Sequence, residues 1–155
     1  MIRLLILLCL PLAAFAQTRD DFRAALLAHE GYSLTAYRDS LGYLTIGIGH
    51  KLLPGESRHW TPAQVEAAFS ADLFQAINKT HAQVPSYLKH PNSIRVLLVE
   101  LTYQCGSLRG FTRFRRAIDT RDYLTAAQEL KRSKLARQTP KRVDDYIRVL
   151  TRAAR

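Results

Sequence analysis

Two carboxylic acids, Glu30 and Asp39, lie at points where the local pattern of the chain changes. The residues before Glu30 predict a helix that ends there, and the residues around Asp39 predict a β-ribbon with Asp39 near its tip. This placement can put two carboxyl groups on opposite walls of one cleft. Cleavage of a glycosidic bond needs such a pair, because a protonated acid serves the leaving oxygen while an ionised carboxylate acts as base or nucleophile.

The surroundings of the two carboxyl groups are expected to favour different charge states. The negative end of a helix disfavours an ionised Glu30, whereas Asp39 in a polar turn stays charged. Considered alone, the pair also fits two ordinary solvated carboxylates, which is the commoner situation. The spacing of two acids therefore suggests a chemistry without establishing it.

The first lobe must hold both acids in place. Thr18 is a suitable cap for a helix with Asp20 and Asp21 in its first turn, and Gly31 is a natural end. Residues 36–50 are rich in β-branched and aromatic side chains around a Ser-Leu-Gly turn, which predicts a hairpin or a three-stranded ribbon. The apolar stripe of the helix is expected at Phe22, Ala25, Leu26 and His29.

Helical patterns dominate the rest of the chain. A capping Thr61 followed by Pro62 begins a helix to about His81. Residues 94–105 are apolar on nearly all sides, which predicts a central core helix. Three shorter helices follow at Phe111–Ile118, Asp122–Lys131 and Pro140–Ala153.

These elements predict a mostly helical α+β fold. We expect an N-terminal lobe with a β-ribbon at residues 17–60, a connecting helix at 61–81 and an all-helical lobe at 82–155. The composition of the 155-residue chain, 47% hydrophobic and 23% charged, excludes disordered, collagen-like and disulfide-scaffold proteins.

The first sixteen residues are expected to be a targeting segment. Arg3 is followed by thirteen apolar residues that end in Ala-Phe-Ala, which is typical of a secretory signal cleaved after Ala16. The apolar run is shorter than the ~20 residues that span a bilayer. An uncleaved anchor is the alternative. We therefore expect export through the inner membrane, to the periplasm or the medium, with a transient membrane anchor as a variant.

The positive charge is concentrated in the last third of the chain. Residues 17–108 carry eight basic and eight acidic side chains, whereas residues 109–155 carry fourteen and five. The net charge of +10 favours an anionic partner: nucleic acid, a membrane or the bacterial wall. No nucleic-acid recognition motif supports the first of these.

The remaining composition predicts a simple molecule. Cys105 is expected to act as a small buried hydrophobe, with redox pairing to Cys9 as the alternative. The chain has no zinc-type spacing of Cys and His, so we expect neither a metal nor a cofactor. We also expect a monomer.

The stretch HEGYSLTAYRDSLGYLTIGIGH, residues 29–50, closely resembles the phage-type lysozymes, glycoside hydrolase family 24. The family's spacing of Glu, Asp and Thr falls on Glu30, Asp39 and Thr45, and its Thr-Ile-Gly-Ile-Gly-His run follows at once. The resemblance continues in Gly-Phe-Thr at 110–112 and Gln-Thr-Pro-Lys-Arg at 138–142. It implies a lysozyme-like fold across most of the chain.

The resemblance also implies an activity, hydrolysis of the β-1,4 bond between N-acetylmuramic acid and N-acetylglucosamine in peptidoglycan. Glu30 is then the general acid, and Asp39 and Thr45 position and activate water, with inversion of configuration. In inverting enzymes the two carboxyl groups lie roughly 6.5–9.5 Å apart.

Supporting positions carry over from the family to this sequence. Arg142 is expected to pair with Glu30 from the last helix, and His50 with Asp72 to tie the ribbon to the long helix. Because the guanidinium of Arg142 favours an ionised Glu30, it opposes the helix-end effect.

Tyr103, Gln104 and Lys51 are expected to line the sugar groove, although an ordinary core role for Tyr103 is equally compatible with its position. The family often has Trp where Leu135 stands here, so the sugar subsites can differ.

Two biological settings share this chemistry, a phage or prophage endolysin that lyses its host and a secreted antibacterial effector. The alternative, from a different functional class, is that the chain is a cationic protein that disrupts membranes through its basic C-terminal helix. An anionic membrane or outer-membrane lipid surface is then a second partner beside peptidoglycan.

Overall fold

The computed structural model describes residues 12–39 and 42–155, with side chains from Arg19 onward. This part of the chain forms a mostly helical α+β fold, as predicted. A short 3₁₀ helix, Tyr87–Lys89, connects α2 to α3. In chain order, the elements are α1 (Leu12–Glu30), β1 (Ser33–Arg38), β2 (Leu44–Gly47), β3 (His50–Lys51), α2 (Pro62–Gln83), α3 (Asn92–Cys105), α4 (Thr112–Asp119), α5 (Tyr123–Lys131), α6 (Lys134–Gln138) and α7 (Pro140–Ala153).

The first helix begins earlier than its sequence signals indicate. The predicted start at Thr18 is wrong, since α1 already begins at Leu12. Residues 12–17 are Leu, Ala, Phe and Gln, mostly good helix formers, so the helix extends through the predicted cap. Its predicted end is confirmed, because Gly31 has a φ of +74° and its N–H donates to the Leu27 carbonyl at 3.1 Å. Most of the predicted signal, residues 1–11, lies outside the described residues.

The ribbon is a three-stranded antiparallel sheet in the order β1-β2-β3. Thr45 is central in it, since it pairs with Tyr37 on β1 and with Lys51 on β3. At the tip, the Asp39 N–H donates to the Tyr43 carbonyl at 2.9 Å. The Ser and Leu of the predicted Ser-Leu-Gly turn lie outside the described residues.

The helical lobe follows the predicted order closely. Thr61 caps α2 as expected, in a capping box with Gln64, and α2 continues two residues beyond His81. The positions of α3, α4, α5 and α7 agree with the predicted helices within two residues. The 3₁₀ helix and α6 were not predicted. The start of α6 is stabilised by Ser133, whose hydroxyl accepts a hydrogen bond from the Ala136 N–H at 3.3 Å.

One continuous hydrophobic cluster joins the elements, from Phe22 on α1 to Leu150 on α7. The central helix α3 supplies much of it, and α1, α2 and α7 all pack against α3. This packing fixes the ends of α1 and α7 relative to the ribbon. Among the described residues, no helix combines the length and the apolar character that crossing a membrane requires.

Candidate active site

A cleft of about 510 Å³ lies where the ribbon, α2, α3 and α7 meet the end of α1. Its walls are formed by residues from elements far apart in the sequence. All nine site residues predicted from the sequence line it: Glu30, Asp39, Thr45, His50, Lys51, Asp72, Tyr103, Gln104 and Arg142. The fold therefore gathers the whole predicted set in one place.

Glu30, the last residue of α1, is fixed by the first turn of α7. The Arg142 Nη1 donates to Glu30 Oε1 at 2.6 Å, and its Nη2 donates to the His29 carbonyl at 2.8 Å. Both side chains are largely buried. Arg142 thus binds two successive residues at the end of α1, and the expected ion pair is present.

The second oxygen of Glu30 lies against Gly49. A Cβ at Gly49 would be 3.0 Å from Glu30 Oε2 and 2.9 Å from Glu30 Cγ, and the residue has a φ of +72°. Only glycine therefore fits without displacing the acid. The Tyr37 hydroxyl also donates to the Glu30 carbonyl at 3.2 Å, which attaches the ribbon to the end of α1.

Asp39 and Thr45 are oriented by the ribbon itself. The Asp39 Oδ1 accepts a hydrogen bond from the Tyr43 N–H at 2.8 Å. Thr45 lies on the middle strand, is only 3% exposed, and donates its hydroxyl to the Tyr43 carbonyl at 3.3 Å. The tip of the ribbon thus places a carboxylate and a hydroxyl on the same cleft as Glu30.

His50 joins the ribbon to α2, as expected. Its Nδ1 lies 2.7 Å from Asp72 Oδ2 and its Nε2 lies 3.2 Å from Glu56 Oε2. Burial of the ring acts to lower the pKa of His50, but the hydrogen bonds and charges of Asp72 and Glu56 outweigh burial, so this pKa is raised. These contacts fit a structural role for His50.

Tyr103 and Gln104, near the end of α3, form part of the opposite wall of the cleft. The Tyr103 hydroxyl donates to the Ile48 carbonyl at 2.6 Å, and burial raises the pKa of Tyr103 so strongly that it stays a neutral donor. Gln104 Nε2 donates to Thr139 Oγ1 at 3.1 Å, whereas Gln104 Oε1 has no hydrogen-bond partner among the described residues. Tyr103 therefore belongs to both the core and the groove.

Lys51 and Cys105 complete the predicted surroundings of the cleft. The Lys51 ammonium lies 4.3 Å from the centre of the Tyr43 ring, a cation–π contact. Cys105 is half-buried, and burial raises its pKa to about 11, so its thiol stays protonated at neutral pH. Its predicted redox partner, Cys9, lies outside the described residues.

Some cleft residues were not predicted. Gln75 and Lys79 also line it from α2. They lie three and seven residues after Asp72, which puts all three on one face of the helix. Helical spacing from Asp72 in the sequence is therefore the signal that indicates Gln75 and Lys79.

The prediction for His29 is wrong. Instead of continuing an apolar stripe, its ring lies 2.8 Å from Glu100 and 3.3 Å from Asp145. The sequence feature that could have indicated this contact is Glu100, an acid inside an otherwise apolar helix, because a buried carboxylate requires a polar partner.

The arrangement is chemically suited to acid–base cleavage of a glycosidic bond. One carboxyl group has one oxygen bound by an arginine and the other in a tight backbone pocket. A second carboxyl group and a hydroxyl belong to the same open cleft, where a water molecule and a glycan chain have access.

Comparison with known proteins agrees with this assignment. The family model described as phage lysozyme matches residues 27–145. A probable T4-type lysozyme 1 from Dictyostelium discoideum is 26% identical over an alignment that covers 78% of this chain and 88% of the relative. A probable T4-type lysozyme 2 from the same organism is 28% identical, with 77% and 87% covered.

Proposed function

Because the chain belongs to the phage lysozyme family and is a lysozyme-type peptidoglycan hydrolase, we propose that it cleaves the β-1,4 bond between N-acetylmuramic acid and N-acetylglucosamine with inversion. The observation that carries this proposal is the set of contacts around Glu30. Its Oε1 is bound by Arg142, its Oε2 lies against Gly49, and both belong to the cleft that Asp39 and Thr45 also line.

Glu30 acts as the general acid. Because Arg142 occupies Oε1, the proton to be delivered belongs on Oε2. As the glycosidic C–O bond breaks, this proton passes to the leaving sugar oxygen, and the Glu30 carboxylate that remains is stabilised by the guanidinium of Arg142. The same ion pair that orients the acid thus also accepts its charge after the reaction.

Asp39 and Thr45 hold the attacking water. The hydroxyl of Thr45 and the carboxylate of Asp39 orient it, and Asp39 takes its proton as the water oxygen bonds to the anomeric carbon. Attack on the face opposite to the leaving group inverts the configuration, which requires room for a water between the acid and the base.

The other wall of the cleft suits an acetylated sugar. Gln104 lines this wall, and its amide nitrogen donates to Thr139 while its amide oxygen is buried without a hydrogen-bond partner in the described part of the chain. Accepting a hydrogen bond from the N–H of an acetamido group therefore requires the side chain to turn toward the cleft. Lys51 and Lys79 give this groove positive charge for the carboxylates of the peptide stems.

The assignment of Glu30 is tested by Glu30→Gln, which keeps the shape of the side chain and removes the transferable proton. We expect the release of reducing ends from purified peptidoglycan to fall by about 10²- to 10⁴-fold. Glu66→Gln on α2 is the matched control, since Glu66 pairs with Arg23 and is not a cleft residue. A Glu30→Gln enzyme with more than a tenth of wild-type activity would contradict the proposal.

We further propose that the enzyme is exported. The apolar segment that ends in Ala-Phe-Ala supports this, together with a substrate that lies outside the cytoplasm. The test is the N-terminal sequence of protein recovered from the periplasm and the medium, where Gln17 is expected as the first residue. Full-length protein in the membrane fraction alone would favour the uncleaved anchor.

Membrane disruption through the basic C-terminal helix is the weaker alternative. The apolar side chains of α7, Val143, Tyr146 and Leu150, are buried in the core. Insertion of α7 into a bilayer would therefore require it to leave the fold. Glu30→Gln separates the two activities, because helix-driven permeabilisation does not depend on this carboxyl group.

A further inference from the structure

A second polar cluster lies directly behind Glu30, on the preceding residue. The His29 ring is placed between α3 and α7, with Nδ1 2.8 Å from Glu100 Oε1 and Nε2 3.3 Å from Asp145 Oδ2. Among the described residues, His29, Glu100 and Asp145 are not part of the cleft lining. Their contacts therefore serve something other than direct binding of the glycan.

The hydrogen bonds of this cluster require an additional proton. A neutral imidazole has one N–H and one lone pair, so it cannot donate to two carboxylates at once. Both contacts are attractive only if the three side chains hold one proton more than a neutral ring and two carboxylates. Glu100 is suited to share it, because burial raises the pKa of this carboxyl group.

The additional proton also balances the local charge. The cluster then carries a net charge of −1, and the positive charge of Arg142 acts on Glu100 as well as on Glu30. The other polar neighbours are Arg148, 2.8 Å from Asp145, and Tyr146, whose ring meets the His29 ring edge-on. The cluster thus joins the end of α1 to α3 and α7 by charge-assisted hydrogen bonds.

These contacts control where Glu30 can lie. Arg142 binds the backbone carbonyl of His29 and the Glu30 carboxylate with the same guanidinium, so the position of the guanidinium depends on where the last turn of α1 lies. The His29 ring attaches this turn to α3 through Glu100 and to α7 through Asp145. A shift of α1 against α7 by a fraction of an ångström would move the acid relative to the bond that it protonates.

We infer that His29, through its contacts with Glu100 and Asp145, is a positioning residue that fixes the general acid Glu30 by way of Arg142. This inference rests on the proposed role of Glu30. Since His29 does not line the cleft, its loss should change kcat and leave KM nearly unchanged. A misplacement of about 1 Å can lower catalysis on the order of 100-fold.

The test compares His29→Phe with a double variant, His29→Phe/Glu100→Leu. The single variant leaves the Glu100 carboxyl group buried without a partner and lowers Tm, whereas the double variant removes that group and should recover Tm. We expect kcat to fall about 10- to 100-fold in both variants, with KM within twofold of wild type. His29→Gln keeps one donor for Glu100 and should restore part of kcat.

One further test variant and one control separate loss of positioning from loss of folding. Asp145→Ala changes a half-exposed carboxylate, so it leaves the core intact, and we expect a fall in kcat of about threefold to tenfold. His81→Gln, an exposed histidine on α2, is the matched control and should behave like wild type.

The inference is overturned if the double variant recovers kcat together with Tm, because His29 would then have only a structural role. It is also overturned if His29→Phe and Asp145→Ala keep kcat within twofold of the control. Failure of the proposed function looks different, since Glu30→Gln would then itself remain active.

Discussion

Two histidines in this molecule have nearly the same local geometry and different surroundings. His50 lies 2.7 and 3.2 Å from two carboxylate oxygens, and His29 lies 2.8 and 3.3 Å from two others. The partners of His50 are partly open to water at the edge of the cleft. The main partner of His29 is Glu100, which is only 6% exposed in the core.

The difference between the two sites shows how burial changes the role of a histidine that lies between two carboxylates. Charge pairs in contact with water contribute little free energy, whereas a buried charge that loses its partner is strongly destabilising. The cluster at His50 therefore adds only modest stability to the contact between the ribbon and α2. The cluster at His29 holds the end of α1 against α3 and α7, and through Arg142 it constrains the acid itself.

The largest effect is expected when the connection between the buried cluster and the acid is cut. Arg142→Gln removes the partner of Glu30 and the donor to the His29 carbonyl. We expect activity to fall on the order of 100-fold and the free energy of unfolding to fall by about 2–3 kcal/mol. Urea denaturation and a reducing-end assay measure the two effects. Arg152→Gln, exposed on the same helix, is the control, and equal losses in both variants would contradict the account.

A smaller effect is expected where the two regions meet, at Gly49. Gly49→Ala introduces a methyl group that would overlap Glu30, so activity should fall about tenfold. Gly55→Ala is the control: Gly55 also has a positive φ, +91°, which is strained for alanine, but no atom of the described residues lies within 4 Å of the new Cβ. The control should lose about 1–2 kcal/mol from strain alone, and Gly49→Ala at least about 1 kcal/mol more. Equal losses in denaturant unfolding would mean that Gly49 does not crowd the acid.

The water-exposed cluster should affect stability and its dependence on pH. Because the pKa of His50 is raised in the folded protein, its ion pairs stabilise the fold below the unfolded pKa of about 6.5. This contribution is lost as pH rises through the folded pKa. Calorimetry should find the Tm of His50→Gln about 2–4 °C below that of wild type at pH 6, with a smaller gap at pH 9. An equal or wider gap at pH 9 would show that packing, not charge, dominates.

The smallest effect concerns charges on the open surface of the last third. Arg137 and Lys141 are exposed and lie close in sequence to the cleft residues Thr139 and Arg142. We expect Arg137→Gln/Lys141→Gln to lower kcat/KM on intact cell walls about twofold to threefold at low salt. The difference should disappear once ionic strength exceeds about 0.1 M, where the Debye length is about 10 Å.

The matched control for this surface effect is Arg152→Gln/Arg155→Gln, which removes the same charge at the C-terminal end of α7 and just beyond it. Turbidity loss of wall suspensions across a salt series measures both variants. Wild-type activity that stays flat from low to high salt would exclude electrostatic steering by the basic region.

Local chemistry explains which parts of the fold could be predicted. The cap at Thr61, the glycine after Glu30 and the last helix at residues 140–153 are encoded within short stretches of sequence, and each appears where expected. The start of α1 could not be predicted in this way, because favourable residues continue a helix through a cap that would otherwise end it. The nine candidate site residues came largely from the family's motifs, and the fold gathers them in one cleft.

The polar cluster behind the acid is a contact between distant parts of the chain. His29 meets Glu100 across 71 residues and Asp145 across 116, so helical periodicity in α1 alone marks His29 as one more residue on a buried face. Only the packing of α1 against α3 and α7 shows that this face is polar at its last turn. Hydrophobic periodicity identifies which face of a helix is buried, whereas the residues that this face contacts depend on tertiary structure.

The stereochemistry of the first product tests the central claim most directly. Proton NMR during digestion of soluble peptidoglycan fragments follows the anomeric proton of the new N-acetylmuramic acid end before mutarotation. If Glu30 donates the proton while Asp39 and Thr45 direct a water to the opposite face, the α-anomer appears first. Initial formation of the β-anomer, or of a 1,6-anhydro sugar, would contradict this account.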